Sequence, residues 1–279
     1  MTLLPKLKNV TVMFATLLFL CLLGIDGKSM PSFSLKFPDF SKIGRPANIL
    51  VVPKNYTGYR VSQDSIRMVY VNDFTVAIVE LGANKLLLNC ELIEIWNPEQ
   101  VMQVLGELTD TARPMMISFE EMVTLMKQCK QLEEMRIMRR HKEVGKNSAE
   151  VAIERSTASK SPFTLLNGIV PGTKWCGTGD IAKNYFDLGV DSTVDSCCRT
   201  HDLCPVKIMA NSKKYDLENN SFFTKSHCKC DDWLYQCLKK ALPSPSANLM
   251  GQIYFNIVQV PCLSDTDKGL QLRSARKNF

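Results

Sequence analysis

Cys197-Cys198-Arg199-Thr200-His201-Asp202-Leu203-Cys204 puts three of the chain's eleven cysteines, one of its three histidines and an aspartate into eight residues. On a helix turning about 100° per residue, this stretch has two working faces. Cys197, His201 and Cys204 stack on one face, at i, i+4 and i+7, while Cys198 and Asp202 stack on the other. His201 and Asp202 therefore point in different directions. Asp202 is not expected to orient His201, and each residue needs its own partner elsewhere.

A second helix, capped by Ser226 and carrying Cys228, Cys230, Asp231, Asp232, Trp233, Tyr235 and Cys237, supplies one of those partners. If two antiparallel helices are stapled twice, paired positions keep a constant index sum. Cys197 with Cys237 and Cys204 with Cys230 satisfy that rule, so both staples lie along one seam. His201 sits between the staples and Asp231 beside the Cys230 end, which makes Asp231 its candidate carboxylate. Cys198 is left on the other face above Asp202. If it bridges to Cys176, the Gly177-Thr178-Gly179 loop is tied against the face that Asp202 occupies. Eight cysteines allow on the order of a hundred connectivities, so these pairings are a geometric preference.

Loop and aspartate together make a candidate calcium site. Calcium takes about 6–8 oxygens and accepts backbone carbonyls alongside a bidentate carboxylate. The carbonyls of Trp175, Gly177 and Gly179 with Asp202 form such a set and leave room for water or substrate. A neutral imidazole beside it can take a proton from water. The competing reading is a zinc cluster of Cys197, His201, Cys204, His227, Cys228 and Cys230. Asp265-Thr266-Asp267-Lys268-Gly269 only superficially resembles an EF-hand and reads as a solvated turn. The Gly-x-Ser-x-Gly elbow of serine hydrolases is absent.

The compartment argues against zinc. Lys6 and Lys8 precede an apolar run from Val10 to Ile25, a pattern that reads as a secretory signal over residues 1–27, with an uncleaved signal anchor as the alternative. Cleavage removes Cys21 and leaves an even number of cysteines in an exported chain, which points to disulfides. Asn55-Tyr56-Thr57 and Asn219-Asn220-Ser221 are glycosylation acceptors.

Eight cysteines fall between Cys176 and Cys262, dividing the chain into an ordinary part at 28–142, a polar linker at 143–162 and a stapled, mainly helical domain at 163–279. In the first part, Asn48 to Pro53, Ile66 to Val71, Phe74 to Leu81 and Leu86 to Trp96 predict an antiparallel meander. A short helix opening at Pro98 and a longer one from a Ser118/Glu121 capping box to about His141 make this part α+β. Cys90 and Cys129 either pair with each other or stay as buried thiols. Arg136, Arg139, Arg140, His141 and Lys142 are either a processing site or cations complementing a helix C-terminus.

Trp175-Cys176-Gly177-Thr178-Gly179, Cys197-Cys198-Arg199-Thr200-His201-Asp202-Leu203-Cys204 and Cys228-Lys229-Cys230-Asp231-Asp232 closely resemble the secreted phospholipases A2 of the bee-venom type, group III. The resemblance runs from about Gly168 to Cys262. It implies calcium-dependent hydrolysis of the sn-2 ester of glycerophospholipids, with His201 as general base, Asp231 as its orienting carboxylate and Asp202 as the calcium carboxylate. It also implies Trp175, Gly177 and Gly179 carbonyls as further ligands, the Gly177 amide as oxyanion donor, Tyr254 as support for the aspartate, and a Cys228–Cys262 bridge. Tyr254 also fits an ordinary apolar core strand. Bee-venom-type members carry a further cysteine pair in a longer tail, whereas no cysteine follows Cys262 here.

The net charge of +6, with Arg273, Arg276 and Lys277 crowded together, suits a solvated surface or an anionic lipid surface, and nucleic acid is not an expected partner of an exported chain. Ile169, Phe222 and Phe223 beside Lys213, Lys214 and Lys225 form a candidate membrane-docking face. The alternative function is a secreted binding protein on the same scaffold that has lost turnover.

Overall fold

Alternation of apolar side chains builds the first sheet. In a computed structural model that describes residues 54, 56–96, 100, 104, 112–144 and 168–279, β1 (Ile66–Asn72) pairs antiparallel with β2 (Thr75–Leu81), and β2 with β3 (Leu87–Glu94). A short strand β4 (Met115–Met116) runs parallel to β1, giving the order β3-β2-β1-β4. The expected signal, the strand at Asn48 to Pro53, Pro98, Asn55 and the linker beyond residue 144 lie outside the described residues. Asn219, the other expected glycosylation acceptor, is fully buried with its Nδ2 donating to Ile208 O, Met209 O and Phe223 O, which rules it out as an acceptor in the folded chain. The two-residue period puts Val69, Val71, Val76, Ile78, Ile93 and Ile95 in one cluster and Ala77, Val79, Cys90 and Leu92 in another. Strand β2 is thus buried on both faces.

Helix α1 (Phe119–Val144) covers the second face. Its start is the capping box: Ser118 N and Oγ each donate to Glu121 Oε2 at 2.7 Å, and Glu121 N donates back to Ser118 Oγ at 3.3 Å. Met122 and Met126 lie one turn apart and are fully buried, contributing about 1.5–3 kcal/mol each. Cys129, the next position on that stripe, is bonded to Cys90 with a Cα–Cα distance of 5.5 Å. The pairing alternative therefore holds over the free thiols.

The remaining chain is built around α2 (Ser192–Asp202) and α3 (Cys228–Lys240). Between them run two small antiparallel pairs, β5 (Lys207–Ile208) with β8 (Lys225–Ser226) and, inserted between these, the hairpin of β6 (Ser212–Lys214) and β7 (Leu217–Asn219). After α3 come α4 (Pro245–Gly251), a π-helical stretch Gln252–Val258, and the hairpin of β9 (Cys262–Thr266) and β10 (Gly269–Arg273). Four disulfides hold this part: Cys176–Cys198, Cys197–Cys237, Cys204–Cys230 and Cys228–Cys262. Each closes a loop of tens of residues, worth about 2–4 kcal/mol by restricting the unfolded chain.

Helix α2 stops earlier than its cysteine spacing suggests. Leu203 N and Cys204 N donate to the carbonyls of Arg199 and His201, at 3.1 and 3.0 Å, and the helix ends at Asp202. Pro205 explains the stop, because a residue preceding proline is pushed out of helical conformation. Asp265 to Gly269 is the exposed tip of the β9–β10 hairpin, with Asp267 and Lys268 as its turn, as expected of a solvated segment.

The sheet and α1 share a core with this disulfide-bonded part, since Tyr185 and Leu203 lie in the cluster of Ala77, Val79, Cys90, Leu92, Met122 and Met126. The described residues belong to one unit, Val52–Phe279. A fully buried Arg199 on α2 anchors the join. Its Nη1 donates to Tyr185 O at 2.6 Å, its Nη2 to Glu133 Oε2 at 2.5 Å, and its guanidinium lies 3.9 Å from the Tyr185 ring centre. Glu133→Gln leaves that cation buried without its counter-charge. The expected cost is about 3 kcal/mol of unfolding free energy in a denaturant titration with the disulfides intact, and an unchanged midpoint would refute the anchoring role.

Candidate active site

Two staples of equal index sum place α2 and α3 side by side in opposite directions, with Cα–Cα distances of 5.7 Å for Cys197–Cys237 and 6.0 Å for Cys204–Cys230. His201 Nε2 lies 2.8 Å from Asp231 Oδ1 across that seam. A carboxylate can only accept, so Nε2 carries a hydrogen, and in the neutral imidazole Nδ1 presents the lone pair. Tyr254 Oη donates to the same Asp231 oxygen at 3.0 Å and sits 3.2 Å from His201 Nε2. Its ring meets the imidazole edge-on at 5.2 Å. The tyrosine arrives on the π-helical stretch, so the alternative of a core strand is set aside. A widened helical turn is a recurrent way to aim a side chain into a site.

The two faces of α2 are less separate than the helical wheel implies. Asp202 Oδ1 comes within 3.7 Å of His201 Nδ1, too long for a hydrogen bond and close enough for a strong electrostatic interaction. Asp202 is the last helical residue, where the chain is already leaving the regular turn. Burial disfavours the imidazolium, but the hydrogen bond to Asp231 and the charges of Asp231 and Asp202 outweigh it and raise His201 above the ordinary imidazole range. Loss of solvent raises the partly buried Asp202 to about 6, offset in part by His201 and Lys207.

The loop after Pro171 is held by a residue that motif reading passed over. Asp195, fully buried in the first turn of α2, accepts from Lys174 N at 2.9 Å and Trp175 N at 2.7 Å through one oxygen, and from Gly189 N at 2.7 Å through the other. Burial raises its carboxyl despite those three amides. A signal for it was present: Asp195, Cys198 and Asp202 follow i, i+3, i+7 and form one stripe. Two members of that stripe hold the loop, Asp195 through those amides and Cys198 through its bond to Cys176 at a Cα–Cα distance of 5.1 Å.

Gly177 forms an isolated antiparallel bridge with Ile169. Val170 N donates to Cys176 O at 2.8 Å and Thr178 N to Gly168 O at 3.4 Å, and Ile181 N takes Lys174 O at 2.8 Å. Successive carbonyls of an extended strand alternate in direction. Accordingly, none of the hydrogen bonds among the described residues uses the carbonyls of Trp175, Gly177 or Gly179, or the Gly177 amide. Unpaired main-chain carbonyls on a loop tied to the Asp202 face are hard oxygen donors of the kind calcium takes. No group of three or more His, Cys, Asp or Glu side chains among the described residues gathers to hold a metal. All six cysteines and histidines of the zinc alternative are otherwise engaged: the cysteines are disulfide-bonded, His201 faces Asp231, and His227, in place of the expected Ser226, caps α3 by accepting from Lys229 N while its Nε2 lies 3.1 Å from Asp265.

The expected docking face is only partly present. Phe222 is 74% exposed and Phe223 36%, but Ile169 is buried against Gly177, Lys225 is buried, and Lys214 is paired with Asp73. Asp232 binds Arg276 at 2.7 Å and lies 3.7 Å from Arg273, so part of the basic tail is neutralised.

Residues 169–266 match the family model described as Phospholipase A2. A phospholipase A2 of Apis dorsata is 42% identical over 94 residues, which is 34% of this chain and 70% of that protein. Phospholipase A2 isozymes of Heloderma suspectum are 44% identical over 94 residues, 34% of this chain and 65% of theirs. The group 3 secretory phospholipase A2 of Homo sapiens is 44% identical over 93 residues, 33% of this chain and 18% of that protein. Strands β1 to β4 and α1 lie outside the segment matched by the family model.

A Cβ at Gly177 would fall 2.2 Å from Gly168 O and 2.9 Å from Ile169 Cα, both backbone atoms that cannot swing aside. Gly177→Ala is therefore expected to lose about 2 kcal/mol of stability by forcing the bridge apart. Thermal unfolding of the variant at the wild-type temperature would contradict the close approach.

Proposed function

Because the chain belongs to the phospholipase A2 family, in its bee-venom or group III branch, we propose that it is an exported, calcium-dependent enzyme that hydrolyses the sn-2 ester of glycerophospholipids at a membrane surface. The products are a lysophospholipid and a free fatty acid. The observation that carries this reading is the 2.8 Å contact between His201 Nε2 and Asp231, which leaves Nδ1 free to act as a base.

Water delivers its proton to His201 Nδ1 as its oxygen attacks the ester carbonyl. Asp231 keeps the imidazole in the required tautomer and stabilises the imidazolium that forms, and Tyr254 fixes Asp231 by donating to the same oxygen. The Gly177 amide, unused by any hydrogen bond among the described residues, donates to the carbonyl oxygen as it becomes an oxyanion. When the tetrahedral species collapses, the imidazolium returns the proton to the departing alkoxide of the lysophospholipid. Asp202 with the carbonyls of Trp175, Gly177 and Gly179 is the oxygen set that would hold calcium, whose charge would polarise the ester carbonyl and offset negative charge on its oxygen.

Disulfides throughout the described part fit an exported chain, as does its likeness to secretory relatives. A pure binding protein on this scaffold would have no use for His201, Asp231, Tyr254 and a bare Gly177 amide together. Among the described residues, no helix is long and apolar enough to cross a membrane.

The test is fatty-acid release from phosphatidylcholine vesicles by the full chain, with calcium, with chelator, and with His201→Gln. The expected outcome is calcium-dependent release, abolished by chelator and reduced roughly a thousandfold in the variant, the scale of losing a general base. Release that ignores calcium, or equal release by the variant, sinks the proposal.

A further inference from the structure

The end of α2 that carries His201 and Asp202 is finished by Lys207 of β5 and by groups from the first sheet. An α-helix leaves its last carbonyls without partners, and the chain must cap them some other way. Here Lys207 Nζ donates to Asp202 O at 2.5 Å, Thr75 Oγ1 to Leu203 O at 2.8 Å, and Phe74 N to Pro205 O at 3.2 Å. Phe74 lies in the β1–β2 turn and Thr75 opens β2. Lys207 is only 3% exposed and is itself paired with Glu94 at the end of β3. The ammonium at this helix end also opposes the negative pole of the helix.

The turn that supplies these donors is held in its own right. Lys214 and Tyr215 both bind the Asp73 carboxylate, and Lys214 sits 3.6 Å from the centre of the Phe74 ring. Phe74, Thr75 and Glu94 all lie outside residues 169–266, the segment matched by the family model. This chain therefore draws part of the support for its hydrolytic helix from a region that the family segment does not contain.

We propose that Glu94, acting through Lys207, is a positioning residue for the site. The inference rests on the hydrolytic reading above. A buried ammonium has three donors and no fixed direction of its own. Glu94 directs it, so that one donor clamps the main chain of Asp202 while the Asp202 side chain is left to the calcium set and to His201. Without Glu94 the cation is free to turn toward the Asp202 carboxylate, which withdraws that carboxylate from calcium and shifts His201.

The experiment uses the full chain with Glu94→Gln, Lys207→Met, Lys207→Arg and the Glu94→Gln/Lys207→Met pair. Two quantities are read: kcat and KM on phosphatidylcholine vesicles, and calcium affinity by calorimetry without lipid. Each of the first two variants is expected to lower kcat about tenfold with KM little changed, as for an interaction felt in the transition state, and Glu94→Gln to weaken calcium binding. Lys207→Arg retains more activity than Lys207→Met, and the double variant is no worse than the poorer single one, because both break one link. Wild-type kcat and calcium affinity in Glu94→Gln, or losses that multiply in the double variant, overturn the proposal. If Glu94→Gln does not fold, Lys207→Met against Lys207→Arg decides it, since equal kcat and equal calcium affinity in those two remove any role for the link. A wild-type chain that releases no fatty acid counts against the hydrolytic reading and not against this one, for which calcium affinity still reports.

Discussion

An imidazole can be oriented by a carboxylate on another helix only if the two helices cannot slide past one another. A shift of one residue along α3 would move Asp231 by about 1.5 Å and rotate it by about 100°, enough to break a 2.8 Å contact with His201. The two disulfides on either side of that contact remove this freedom. Their equal index sums mean that both staples demand the same register, so neither can be satisfied by a slipped pairing. The remaining features of the site are adjustments to a pair whose distance is already set.

The other faces of α2 are as fully committed. Asp195 and Cys198 bind the loop that precedes the helix, and the buried Arg199 reaches through to Glu133 on α1. Lys130 adds a donor to Ser196 Oγ at 3.0 Å. These are buried or half-buried charges, and their desolvation is costly. They are poor devices for raising stability compared with apolar packing, but each fits only one partner geometry. The sheet and α1 are thereby held to the helix in a single orientation, which apolar contacts among Leu203, Tyr185 and the sheet would leave less sharply defined.

Much of the site was legible because its constraints are short-range and periodic. The i, i+4, i+7 spacing of Cys197, His201 and Cys204 and the matching spacing of Cys230 and Cys237 encode the seam, and the Ser118/Glu121 box encodes the start of α1 within a residue. What escaped was non-local. Nothing near Arg199 announces that its partner lies 66 residues upstream, or near Lys207 that its partner lies 113 residues upstream. Asp195 escaped for a different reason. It lies on the stripe of Cys198 and Asp202, but an aspartate near a helix start is also an ordinary dipole complement. Ile169 misled because an apolar residue beside a glycine loop looks the same whether it faces lipid or packs against that glycine.

The loop shows how one backbone alternation can serve two purposes. In the bridge between Ile169 and Gly177, the carbonyls of Gly168 and Cys176 are consumed in holding two strands together. Alternation then directs Trp175, Gly177 and Gly179 away from those bonds, and the same geometry leaves the Gly177 amide without a partner among the described residues. The bridge requires the strands to approach so closely that a side chain at Gly177 would collide with the main chain of Gly168 and Ile169. The glycine is therefore required first by packing, and its bare amide and carbonyl follow from the packing. A loop made rigid by half of its polar groups is able to present the other half already oriented, which is the condition for binding a cation and an oxyanion without reorganising either.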